Sequence, residues 1–98
     1  EIEFDTLETI QHLESIRDGN TKLKSDNEKS LELYLKGIDC LFRKEFEQAL
    51  QHFLQCLQID RSLDDDGARK ACIAIFTLLT EHHPLTAQYR RRFSMSLY

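Results

Sequence analysis

Proline occurs once and glycine three times in 98 residues, so long loops and β-turns have little material to be built from. No apolar run approaches the ~18 residues of a membrane span, and no signal-peptide pattern opens the chain. Also missing are a Cys-x-x-Cys pair, a Gly-x-Ser-x-Gly elbow and a glycine-rich phosphate loop. Those gaps close the ordinary routes to thiol–disulfide exchange, serine hydrolysis and nucleotide chemistry, so neither an enzyme nor a cofactor is expected. Positive charge is in short supply too: 13 Lys and Arg against 17 Asp and Glu leave a net charge of −4. That disfavours nucleic acid as a partner, because binding phosphates is largely counterion release by Lys and Arg. What is present, 41% hydrophobic and 31% charged residues, fits one soluble globular domain spanning residues 1–98. The chain opens Glu1-Ile2-Glu3 without methionine, which suggests a piece of a longer protein.

Apolar residues recur at helical spacing in five segments. Over 4–17, Leu7, Ile10, Leu13 and Ile16 fall three apart behind Phe4, and Asp18-Gly19-Asn20 ends the run. Residues 19–27 are a polar connection. Ser25 with Glu28 makes a capping box for the second helix, with Asp26 and Asn27 as alternative caps. That helix is expected to bury Leu31, Tyr34, Ile38 and Leu41, flanked by Leu35 and Phe42, and Arg43-Lys44 supply positive charge at its carboxyl end. A third helix, 45–59, should bury Phe46, Ala49, Leu50, Phe53, Cys56 and Leu57. Ser62 and Asp65 form a second capping box before a helix over 64–80, whose spacing marks Ala68, Ala71, Cys72, Ile75, Leu78 and Leu79 as the inner stripe. Asp65 and Arg69 stand four apart, in the favourable order for an ion pair. After His82-His83, Pro84 suits the first turn of a last helix with Leu85, Tyr89, Phe93 and Leu97 inside and Met95 as filler.

The expected fold is therefore all-α, antiparallel helical hairpins in an α-solenoid fragment of about five helices. Within 31–61, small residues sit where two helices must touch: Gly37 and Cys40 on one stripe, Ala49 and Cys56 on the other. Close helix approach, ~8–10 Å, needs such positions. Leu33, Gly37, Ala49, Phe53 and Cys56 resemble the pattern of a tetratricopeptide repeat over nearly one ~34-residue unit. Arg61 stands where a proline commonly ends the unit. Residues 1–29 then read as a degenerate first repeat with a polar loop, 30–61 as the hairpin and 62–98 as a carboxyl-terminal helix pair.

Cys40, Cys56 and Cys72 cannot all pair with one another, and each falls on a face expected to be buried. Reduced core thiols are the plain reading; a regulatory disulfide or a metal site is the alternative. His12, His52, His82 and His83 lack the i, i+4 pairing a zinc-binding helix needs and suit surface or capping roles.

Residues 60–98 carry, in order, Asp60-Arg61-Ser62, the acidic run Asp64 to Asp66, Ala68-Arg69-Lys70-Ala71, Ile75-Phe76, His83-Pro84-Leu85, Tyr89-Arg90-Arg91-Arg92 and Leu97-Tyr98. With the hairpin, this resembles the carboxyl-terminal helical domain of the bacterial thioredoxin-like co-chaperone family (YbbN or CnoX, chaperedoxin). The resemblance covers about residues 30–98. It implies a cytoplasmic, non-catalytic domain that binds unfolded client proteins and passes them to cytosolic chaperones, among them the GroEL-type chaperonin. The redox-active half, and with it the link to cell redox homeostasis, would lie in a thioredoxin domain outside this chain. Chaperonin contact would fall on residues 85–98.

Candidate partner-binding residues are Arg90, Arg91, Arg92, Phe93, Met95, Leu97 and Tyr98 on the last helix, and Leu33, Leu41 and Phe42 as groove residues. Arginine forks suit carboxylate-rich surfaces, although the triplet also reads as a solvated face paired with Asp64 to Asp66. The apolar set either forms an exposed strip or packs on helix 64–80. A competing assignment is a generic tetratricopeptide scaffold for subunit assembly or self-association. One repeat is fewer than the three such folds usually need, so neighbouring helices or a second copy (a homodimer) must complete the core. Capture of peptide carboxyl termini is disfavoured because the second helix offers only Lys36 for a clamp.

Overall fold

Where the chain needs to turn, it does so with the side chains and backbone shapes that helix ends require. In a computed structural model, which describes residues 6–23, 27–80 and 82–96, the elements are α1 (Thr6–Arg17), α2 (Glu28–Phe42), α3 (Phe46–Ile59), α4 (Gly67–Leu79) and α5 (Pro84–Ser96). No strand occurs among the described residues, and the fold is all-α. Phe4, Ser25, Asp26, Leu97 and Tyr98 lie outside the described residues.

α1 ends as its glycine suggests. Gly19 takes φ +83°, its N–H donates to Ile16 O at 3.1 Å and the Asn20 N–H donates to Ser15 O at 2.9 Å, the paired bonds of a Schellman stop. The same stop closes α2, with Glu45 N–H to Cys40 O at 2.8 Å and Lys44 N–H to Leu41 O at 3.0 Å, but here the left-handed residue is Lys44, φ +63°. Of the candidate caps for α2, Asn27 is the one seen: its side-chain oxygen accepts from the Ser30 N–H at 3.1 Å, and the Ser30 hydroxyl donates to Asn27 O at 2.9 Å. Pro84 opens α5, and His83 Nδ1 accepts from the Leu85 N–H at 3.0 Å.

The start of α4 departs from expectation. Asp64, Asp65 and Asp66 do not form a first helical turn; all three are left-handed, φ +56°, +55° and +63°. Asp is among the few residues that tolerate this region. The Ser62–Asp65 capping box is absent: Ser62 Oγ donates to Asp60 Oδ1 at 3.2 Å instead. Asp65 lies outside the helix, where its carboxylate meets the Lys70 ammonium at 3.2 Å.

Joined by three residues, α2 and α3 run antiparallel and make the most extensive helix pair. α3 also packs on α4 and α5, α4 on α5, and α1 on α2 and α4. Gly37 explains how close the hairpin is. A Cβ built there would lie 2.7 Å from Phe53 Cε1, so the Phe53 ring occupies the space a larger residue would fill. Tyr34 meets the same ring edge-on, 5.8 Å between centroids at 63°, and Phe76 meets Phe93 likewise at 5.6 Å and 77°. The core joins Leu13, Ile16, Leu33, Tyr34, Ile38, Leu41, Ala49, Leu50, Phe53, Leu54, Cys56 and Leu57 to Leu63, Ala71, Cys72, Ile75, Tyr89 and Phe93. A radius of gyration of 12.3 Å, near the ~13 Å of a compact chain this size, means the helices close on one core. Several expected core residues sit elsewhere: Leu31 is half-buried, Leu7, Leu78 and Met95 are exposed, and Phe46, Leu79 and Leu85 are only partly buried against the core. No helix among the described residues is long and apolar enough to cross a membrane.

Candidate partner-binding surfaces

α5 divides its side chains between core and solvent. Thr86, Tyr89 and Phe93 face inward, while Arg90, Arg91, Arg92 and Met95 face out. Tyr89 is tied down by polar contacts: its hydroxyl donates to Glu47 Oε2 at 2.8 Å and accepts from Gln51 Nε2 at 3.0 Å. Two of the three arginines lie against aromatic rings rather than carboxylates. Arg90 lies 5.8 Å from the Phe76 ring centroid and Arg92 5.3 Å from that of Tyr89, distances at which a guanidinium gains ~0.5–1 kcal/mol. Among the described residues no carboxylate lies within 4.0 Å of Arg90, Arg91 or Arg92, so the pairing with Asp64 to Asp66 is not made. The acidic turn is engaged elsewhere. Asp64 Oδ2 accepts from the Tyr34 hydroxyl at 2.6 Å and lies 2.8 Å from His12 Nε2.

Beside α5 lies a cleft of about 550 Å³, lined by Leu57, Gln58, Arg61, Arg92, Met95 and Ser96. It joins the carboxyl end of α3 to that of α5. Two of its residues, Arg92 and Met95, come from the set expected for partner binding. Phe93 does not contribute to the exposed face, being buried on Phe76. Sequence reasoning missed Leu57, Gln58, Arg61 and Ser96; only Arg61 carried a signal, closing the hairpin unit where an apolar proline is usual.

The groove residues need correcting. Leu33 and Leu41 are each 4% exposed and belong to the core, so neither offers a surface. Phe42 is half-buried with the Arg17 guanidinium 4.5 Å from its ring centroid. The large apolar α2 residue that does turn outward is Leu35, 43% exposed. It lines a shallower cleft of about 410 Å³ with Glu32, Lys36, Asp39, Cys40, Arg43 and His52. The charges there neutralise one another, Lys36 with Glu32 at 3.2 Å and Arg43 with Asp39 at 3.0 Å. Exposed pairs of this kind add little stability.

The thiols have none of the features of nucleophiles. Burial pushes Cys56 up to about 11, and burial pushes Cys72 up further, the nearby Cys56 adding to it. Burial, Glu45 and Asp39 raise the half-buried Cys40. A reactive cysteine needs the opposite shift. Burial, helped by the Lys36 charge, lowers His52. Among the described residues no three His, Cys, Asp or Glu side chains come together in a way that could hold a metal ion.

A family model described as tetratricopeptide repeat matches residues 10–98. No curated protein and no solved structure matches the chain.

Proposed function

From the premise that the chain belongs to the tetratricopeptide-repeat family, we propose that this protein–protein interaction scaffold presents the outward face of α5 and the cleft beside it to its partner. One observation carries the reading. Met95, 67% exposed, stands next to Arg92 in a cleft of about 550 Å³, on a helix that has three arginines and no acidic residue. An apolar tip flanked by guanidinium groups suits a partner segment that combines an aliphatic or aromatic side chain with carboxylates.

Within that reading, the partners are unfolded client proteins and a GroEL-type chaperonin, and the domain serves a cytoplasmic thioredoxin-like co-chaperone without itself doing chemistry. The ordered motifs of residues 60–98 support this. Cutting the chain after Leu85 would be a poor test, because it removes Thr86, Tyr89 and Phe93 from the core. Surface variants are the right tool. Met95→Asp combined with Arg92→Glu should keep the helical signal and lose most chaperonin recovered in a pull-down. Equal recovery by the variant and the native chain would remove the α5 face from consideration. Loss of binding to every chaperone tested, native chain included, would favour a scaffold for subunits of another complex.

A further inference from the structure

α1 is attached differently from the other helices. It buries only Leu13 and Ile16, leaves Leu7 63% exposed, and is joined to the rest by residues 18–27, the longest connection in the fold. Its seat on α2 and α4 is nonetheless specific. His12 Nε2 lies 2.8 Å from Asp64 Oδ2, and the Arg17 guanidinium lies 4.5 Å from the centre of the Phe42 ring. The remaining helices hold one another through α2 on α3, α3 on α4 and α5, and α4 on α5.

We propose that the chain pairs with a second copy of itself by exchanging α1, each α1 seating on α2 and α4 of the other chain. A second copy is the one partner certain to present Leu13, Ile16, His12 and Arg17 in the register this seat accepts, so exchange recreates every contact without new complementarity. The connection is long enough. Ten extended residues reach about 33–36 Å, comparable to the 35 Å long axis of the molecule. The connection is also polar, so stretching it out exposes little apolar surface; Leu23 is the exception, packing partly against the core. The closed chain competes through the effective concentration of its own α1, about millimolar for a short flexible link. Exchange therefore grows with protein concentration, and it uses neither Met95 nor Arg92, so it stands or falls apart from the α5 reading.

Exchanging the two side chains tests this on the 98-residue chain. In His12→Asp two carboxylates meet at the seat; in Asp64→His two imidazoles meet. Mixed together, the two variants regain a His–Asp contact at both seats, but only if α1 crosses between chains. By light scattering, the mixture should reach the two-chain mass at a concentration at least ~10-fold below either variant alone, the ratio that ~1.4 kcal/mol of restored pairing gives. A mixture whose mass equals the average of its components at every concentration overturns the proposal. Because Asp64→His also disturbs the Tyr34 hydrogen bond, a second variant stands beside it. Deleting residues 22–24 from the native sequence spares the Asn20 and Thr21 bonds to Ser15, removes about 10 Å of reach and should lower the concentration at which the dimer forms. A shortened chain that dimerises no more readily than the native one overturns it as well.

Discussion

The Phe53 ring lies where any side chain on Gly37 would have to go, with three of its carbons within 2.9 Å of the position a Cβ would take. Gly37→Ala gains about 1 kcal/mol of helix propensity yet must push a fully buried ring aside, at a cost of about 1–3 kcal/mol. A net loss of up to about 2 kcal/mol in urea unfolding is expected. Phe53→Leu in the same chain should then cost less than it does alone, the non-additivity of residues in contact. Additive losses would show that the ring is not the obstacle.

Lys44 is the opposite case. It sits at φ +63° in the position after α2 where glycine is the usual residue. It is exposed. Lys44→Gly should raise stability, by about 0.5–1 kcal/mol, because the left-handed penalty of a Cβ outweighs the entropic cost of glycine. A drop would mean that the Lys44 side chain makes a contribution larger than its backbone strain.

Tyr34 is fully buried, and its hydroxyl donates to Asp64 at 2.6 Å. Burial, with the Asp64 carboxylate after it, holds that phenol far above its ordinary range. Tyr34→Phe keeps the ring contact with Phe53 and deletes one hydrogen bond to a charged acceptor, worth about 1.5–3 kcal/mol. Since Asp64 also faces His12, the change should weaken α1 as well, seen as faster amide exchange at Leu13 and Ile16. Unchanged exchange there would separate the two contacts.

Thr86 is 1% exposed, and its hydroxyl finds no hydrogen-bond partner among the described residues. Thr86→Val replaces that hydroxyl with a methyl of similar size, so stability should hold or rise by up to about 1 kcal/mol. A loss beyond about 1 kcal/mol would indicate a partner the hydroxyl acquires in solution.

The thiols set the alkaline limit. Cys56 is raised to about 11 and Cys72 is raised too, so the folded chain keeps protons that the unfolded chain sheds near the ordinary thiol value. Groups raised in this way contribute less as pH climbs. Stability should therefore fall above about pH 8.5, by about 1.4 kcal/mol per thiol for each pH unit until the folded value is reached. Denaturant midpoints across that range check it. Alkylation should follow burial, with the half-buried Cys40 modified before Cys56 and Cys72. Simultaneous modification of all three would contradict it.

The helices were readable because three kinds of signal agreed: apolar periodicity, glycine or proline at the ends, and capping side chains. Gly19, Asn27 and Pro84 each do what their residue type suggests. Reading failed where identity and geometry part company. Asp64 to Asp66 look like the acidic first turn of a helix, yet Tyr34 and His12, 30 and 52 residues away, hold Asp64 in a left-handed turn. Local pattern has no access to such distant partners. Leu33 and Leu41 illustrate a second limit. A helix touching neighbours on more than one side buries more than one stripe, so no single period tells which leucines reach solvent. The outward turn of Met95 has the same origin, since only the last contacts of α5 decide where its core ends.

A single carboxylate oxygen on Asp64 is gripped from both the first and the second helix. The segment 60–66 is consequently not a spacer whose length can drift. An extra residue inserted there would pull on α1 and α2 together and loosen the amino-terminal half of the molecule. The same insertion after Lys22, past the bonds that Asn20 and Thr21 make to Ser15, would be absorbed where it was made. Tolerance to lengthening should thus differ sharply between two stretches that look equally hydrophilic.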